Sequence, residues 1–88
     1  MILIEGGCGV TLETAKRARR AGIERVAYIC GERTICPRRS KIVGRTVWRR
    51  SGIKTETIVM PEVGHGYAER FDPFAERAFE FLERPESP

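Results

Sequence analysis

The sequence predicts an α/β domain built as βαβαβα, a three-stranded parallel sheet in sequential strand order with helices on both faces. Short apolar runs alternate with helix-period segments along the 88 residues, the pattern of strands joined by helical crossovers. One helix exit also occurs twice. Arg19-Arg20-Ala21-Gly22-Ile23-Glu24 and Arg49-Arg50-Ser51-Gly52-Ile53-Lys54 match in kind over six positions, 30 residues apart. That separation is about the length of a βαβ unit, and right-handed crossovers then make the strands parallel.

Ile2-Leu3-Ile4 is the first strand, followed by a Gly-rich turn, and Thr11 is placed to cap a helix whose apolar face is Leu12, Ala15 and Ala18. Gly22 ends that helix where a left-handed cap costs least. Arg25 to Cys30 follows as a near-continuous apolar strand suited to burial on both faces. After the turn Gly31 to Ile35, Pro37 opens a second helix expected to run to about Arg50, with Ile42, Val43, Thr46 and Val47 as its buried stripe and Gly52 closing it. Thr55 to Met60 is the third strand. The loop Pro61 to Tyr67 leads to a last helix, capped at Asp72 with Pro73 behind it, whose Phe74, Ala78, Phe81 and Leu82 share one face. Residues 1–84 are thus expected to form one domain and 85–88 a frayed, disordered tail.

Composition narrows the function. The chain is too short for two domains, and at this length only about 60–65% of the unfolded surface is buried on folding, so a partner, a disulfide or the remainder of a larger fold would help the core. No apolar run exceeds five residues, which excludes a membrane span, and the start lacks the basic head and apolar core of a signal peptide. A cytoplasmic setting without membrane contact is the expectation. The net charge of +4 divides unevenly: residues 1–54 hold 13 basic and 4 acidic side chains, residues 55–88 hold 3 and 8. The pairs Arg19-Arg20, Arg38-Arg39 and Arg49-Arg50 are expected at helix ends as solvated charge. No zinc finger, RNA-binding signature or aromatic stacking platform accompanies them, so nucleic acid is not an expected partner. Cys30 and Cys36 lie six apart around a predicted loop and can meet in an oxidising compartment, whereas a reduced state is the default in the cytoplasm. One His and no second ligand pair leave no expected metal site, and no cofactor motif is present.

In a parallel sheet every strand ends at the same edge, and open α/β folds bind ligands there. Three loops meet at that edge: Glu5-Gly6-Gly7-Cys8-Gly9, then Gly31-Glu32-Arg33, then Glu62-Val63-Gly64-His65-Gly66-Tyr67. They bring the only His, a carboxylate and a thiol to one side of the sheet, the groups that general-base chemistry on a nucleophile requires. An isolated loop His is more often a surface residue, but two flanking glycines allow a tight backbone path that projects the imidazole.

From Arg25 to Leu82 the order strand, Gly-containing acid loop, helix, strand, Gly-His-Gly loop and closing helix resembles the C-terminal end of an α/β-hydrolase, over roughly two-thirds of the chain. The resemblance implies ester or acyl hydrolysis with His65 as general base and Glu32 as the acid that orients it; Glu62 is a local alternative acid. The family's G-x-S-x-G nucleophile elbow is missing, since Ser40, Ser51 and Ser87 lie on no such turn. One substitute exists, Cys8. Gly6-Gly7-Cys8-Gly9-Val10 follows a strand and precedes a helix, the order Cys8, Glu32, His65 is the family's nucleophile, acid, base order, and the dienelactone-hydrolase branch uses Cys.

Three functions therefore stand. The favoured one is the C-terminal part of an α/β-hydrolase that supplies His65 and an acid, with the nucleophile outside this chain and no activity alone. The second is a minimal Cys8 hydrolase acting on a small ester or acyl substrate. The third is a non-catalytic α/β interaction module. An open sheet edge would receive the N-terminal hydrolase portion or a second copy.

Overall fold

Five successive apolar side chains from Val26 to Cys30 are more than a half-buried strand can use. The computed structural model of the chain, which describes residues 1–62 and 71–84, accordingly buries all seven residues of β2 (Arg25–Gly31). Parallel neighbours flank it, β1 (Ile2–Ile4) on one side and β3 (Lys54–Met60) on the other, in the order β1-β2-β3. Ile2 stands opposite Ala27 and Ile4 opposite Ile29, while β3 follows the full length of β2 from Arg25 opposite Lys54 to Gly31 opposite Met60. The α/β class and the sequential parallel sheet are those the sequence predicts.

Alternation along β2 then sorts the helices onto the two faces. Val26, Tyr28 and Cys30 pack with Ala15 of α1 (Leu12–Arg20), Cys36 of α2 (Cys36–Val43), Trp48 and Ile53. Ala27 and Ile29 pack with Ile58 and Met60 of β3 and with Ala78 and Phe81 of α3 (Asp72–Glu83). Thr11 caps α1 as expected, its hydroxyl accepting from Thr14 N–H at 3.2 Å. Gly22 and Gly52 follow the two crossover helices with φ of 101° and 81°, a region open to glycine and strained for other residues. The start of α3 differs from expectation. Asp72 is its first helical residue, and the capping position is Phe71, which makes no side-chain capping bond. Residues 85–88, expected to be a frayed tail, lie outside the described residues.

The second crossover departs most from the sequence pattern. Its helix spans the expected length, continuing beyond α2 as a π turn (Gly44–Trp48) and a 3₁₀ turn (Arg49–Ser51). Yet Ile42 and Thr46 are exposed and Val43 and Val47 only half-buried, while Cys36, Ser40, Gly44 and Trp48 face the sheet. The cause is a close, partly polar contact with β3. The Ser40 hydroxyl lies 2.8 Å from Thr57 Oγ1, and any Cβ at Gly44 would collide with Thr55 Oγ1. Ser and Gly carry no apolar signal, so hydrophobic periodicity passes over them. The wider π turn also offsets the phase drift of about 40° that four α-helical residues accumulate, and so returns Trp48 to the buried face.

A polar chain fixes this layer to the sheet. Trp48 Nε1–H donates to the Tyr28 hydroxyl at 2.8 Å, and that hydroxyl donates to Gly7 O at 2.8 Å. Burial raises the Tyr28 phenol above its ordinary value, with the Trp48 hydrogen bond opposing and the Cys8 thiol adding to the rise. Tyr28→Phe should leave a buried indole N–H unpaired and lower unfolding stability by about 1–3 kcal/mol, read by urea titration of Trp48 fluorescence. Because the folded phenol holds its proton to higher pH than the unfolded one, wild-type stability should fall as pH rises above 10, and Tyr28→Phe should lack that component. Gly44→Val, which overfills the α2–β3 contact, should cost about 1–3 kcal/mol in the same titration.

Candidate functional site

Each strand of the sheet is followed within two residues by a glutamate: Glu5 after β1, Glu32 after β2, Glu62 after β3. A carboxylate at a strand end faces the backbone N–H groups of the next loop, and two of the three use them. Gly31 N–H donates to Glu5 Oε1. Glu62 N–H donates to Glu32 Oε2 at 2.8 Å. Backbone bonds run alongside, Glu5 N–H to Ile29 O at 3.0 Å and Glu32 N–H to Met60 O at 2.9 Å. Each loop is therefore fastened to its neighbour.

This fastening holds two residues in an unusual backbone state. Glu5 and Glu62 have φ of 53° and 59°, the left-handed region that costs a side-chain-bearing residue on the order of 1 kcal/mol or more. Strain of this kind persists only where surrounding bonds determine it, and the carboxylate clamps are such bonds. Glu5 Oε2 is also buried, without a hydrogen-bond partner among the described residues.

Between the β1 and β2 loops lies a cleft of about 270 Å³ whose walls include Glu5, Cys8, Thr34, Ile35, Cys36 and Arg39. Cys8 is a free thiol packed against the Val26–Tyr28–Cys30 layer. Burial pushes its pKa up, and the Arg39 guanidinium partly opposes that rise. It lies in a turn after β1 and before α1, three residues from each. Cys30 and Cys36, which the sequence leaves open as a pair, are joined by a disulfide with Cα atoms 5.4 Å apart.

Of the residues expected to form a site, Cys8 and Glu32 both lie at the carboxyl edge but engage different neighbours. Cys8 lines the cleft on the β1 flank; Glu32 is exposed, lies outside the cleft walls and is tied toward β3. His65 lies outside the described residues. The local alternative, Glu62, takes part through its backbone N–H. Glu5 and Arg39 were not singled out by sequence reasoning. The recurrence of Glu just after each strand was the available signal for Glu5, whereas Arg39 reads as one half of a solvated Arg pair. Among the described residues no group of His, Cys, Asp and Glu is arranged to hold a metal, and no helix is long and apolar enough to cross a membrane.

Two measurements test this geometry. Glu32→Ala should speed amide exchange at Glu62 about fivefold, the equivalent of about 1 kcal/mol for one hydrogen bond, while exchange in the centre of β2 stays unchanged. Alkylation of Cys8 by iodoacetamide should show a pH midpoint above that of a free thiol, and Arg39→Ala should move it higher still.

Comparison with family models, curated proteins and solved structures found no match to this chain.

Proposed function

We propose that this chain is the C-terminal part of an α/β-hydrolase, supplying a general base and its orienting acid to ester or acyl hydrolysis. The observation that carries the reading is the bond from Glu62 N–H to Glu32 Oε2. It fastens the acid loop after β2 to the first residues of the loop after β3, three positions before His65. An acid held at the base of a His-bearing loop is what the orienting role needs. The sequential parallel order β1-β2-β3 supports it too, because adjacent strand ends put these two loops side by side.

In this reading His65 removes the proton from an incoming nucleophile as it attacks the acyl carbon, then returns the proton to the leaving oxygen. Glu32 accepts from the other ring nitrogen, fixing the tautomer and stabilising the imidazolium. The nucleophile is a serine on a G-x-S-x-G turn in the portion that pairs with β1. The β1 flank suits such a neighbour: Ile4 and Met1 are exposed, and Met1, Leu3, Val10, Ala18 and Trp48 line an open groove of about 430 Å³. Cys8 is the weaker nucleophile because burial raises its thiol pKa and three residues separate it from β1 and from α1.

An activated-ester assay with p-nitrophenyl acetate tests the proposal. The 88-residue chain should show no turnover above background, and the reading frame upstream of Met1 should encode G-x-S-x-G. In the longer protein His65→Ala should lower kcat by at least about a thousandfold, with Glu32→Gln also strongly impaired. Turnover by the chain alone that disappears in both Cys8→Ala and His65→Ala would overturn the reading in favour of a Cys8 enzyme. An upstream frame without the serine turn, together with an inactive chain, would leave a non-catalytic module.

A further inference from the structure

The position of the Cys30–Cys36 disulfide is more informative than its presence. Cys30 is the next-to-last residue of β2 and Cys36 the first of α2, so the bond closes residues 31–35 into a ring at the carboxyl edge. That ring carries Glu32, which holds Glu62 N–H. It also carries Thr34, whose hydroxyl donates to Gly31 O at 2.9 Å and accepts from Cys36 N–H at 3.1 Å.

The two cysteines differ in their surroundings. Cys30 is fully buried, whereas Cys36, also buried but with 6% of the residue's surface exposed, lines the cleft it shares with Cys8, Thr34 and Arg39. They also differ in what receives them after cleavage. The Ser40 hydroxyl lies 3.8 Å from Cys30 Sγ and donates to Pro37 O at 3.1 Å. Within a disulfide Cys30 has no proton to give. Released as a thiol, it can donate to Ser40 Oγ, whose own proton is already directed to the Pro37 carbonyl.

We propose that the Cys30–Cys36 bond is a reducible lock on this loop, opened by a dithiol that enters the cleft and attacks Cys36. A thiolate of the dithiol forms a bond to Cys36 Sγ, the Cys30–Cys36 bond breaks, and the electron pair leaves on Cys30, which takes up a proton. The second thiol of the reductant then attacks its own sulfur bound to Cys36. Cys36 leaves as a thiol and the reductant as its disulfide, so two electrons and two protons pass from the dithiol to the cysteine pair. Arg39, on the cleft wall, favours the attacking thiolate. Opening removes the covalent tie between β2 and the first turn of α2 and loosens the ring that presents Glu32 to Glu62. The chemistry is independent of the hydrolase reading.

The whole 88-residue chain is equilibrated in buffers of defined reduced-to-oxidised dithiothreitol ratio, quenched with iodoacetamide in denaturant so that buried thiols also react, and weighed. One alkylated cysteine marks the locked form and three the open form, since Cys8 is already free. The expected result is a reversible transition that leaves far-UV circular dichroism unchanged while Glu62 amide exchange rises about fivefold, as for loss of one hydrogen bond. Glutathione disulfide should modify Cys36 in Cys30→Ser at least about ten times faster than Cys30 in Cys36→Ser, following exposure. The proposal fails if reduction proceeds only at the rate of global unfolding, if Glu62 exchanges equally in both forms, or if Cys30 reacts as fast as Cys36. A Cys8–Cys36 linkage in the peptide map would likewise overturn attack by the external dithiol. Should the single variants not fold, the wild-type transition and its Glu62 readout decide alone.

Discussion

The rest of the structure depends on the burial of β2 from both sides. A strand with apolar side chains at every position has no solvent face, so it must be covered twice, and that requirement places α1 and the α2 crossover on one face and α3 on the other. Tyr28 marks the cost of putting polar atoms in that environment. Its hydroxyl is satisfied on both sides, by Trp48 Nε1–H and Gly7 O, and those two bonds join the end of the second crossover to the loop after β1. A buried polar group of this kind fixes register, because any slip leaves it unpaired. Arg25 plays a related part at the amino edge, where its guanidinium donates to Phe81 O at 2.7 Å and lies over the Phe81 ring, joining β2 to the end of α3.

The carboxyl edge inherits its geometry from this core. With β2 held in place, the ends of β1 and β3 stand beside it, and the glutamates that follow β1 and β2 reach across to the next loop. Their clamps hold Glu5 and Glu62 in left-handed conformations that neither residue would adopt alone. The same edge carries the disulfide ring and the cleft containing Cys8. Position, more than any single side chain, is what makes this edge a candidate site, and it is why a change at Cys36 can be felt at Glu62.

Charge contributes less than the uneven distribution along the chain suggests. The exposed ion pairs Arg17–Glu13 and Arg19–Glu24, at 3.5 and 4.0 Å, both lie within the basic half. Surface pairs of this kind are worth at most about 1 kcal/mol. The arginines that matter to the fold and the cleft are Arg25, through burial, and Arg39, through its place beside Cys8.

The sequence by itself determined the element order, the parallel sheet, the capping by Thr11, and the carboxyl edge as the place where Cys8, Glu32 and Glu62 gather. These follow from local periodicity and turn chemistry, which act over a few residues and are written in adjacent positions. Only the tertiary structure decided the face of the second crossover, because Ser40 and Gly44 are buried for contacts with Thr57 and Thr55 that lie 17 and 11 residues away and carry no apolar signal. It also decided that Glu5 clamps Gly31, that Glu32 clamps Glu62, and that Cys30 meets Cys36. Each of these depends on where a strand end stands beside its neighbour, a relation that exists only once β2 is buried and its partners are in register.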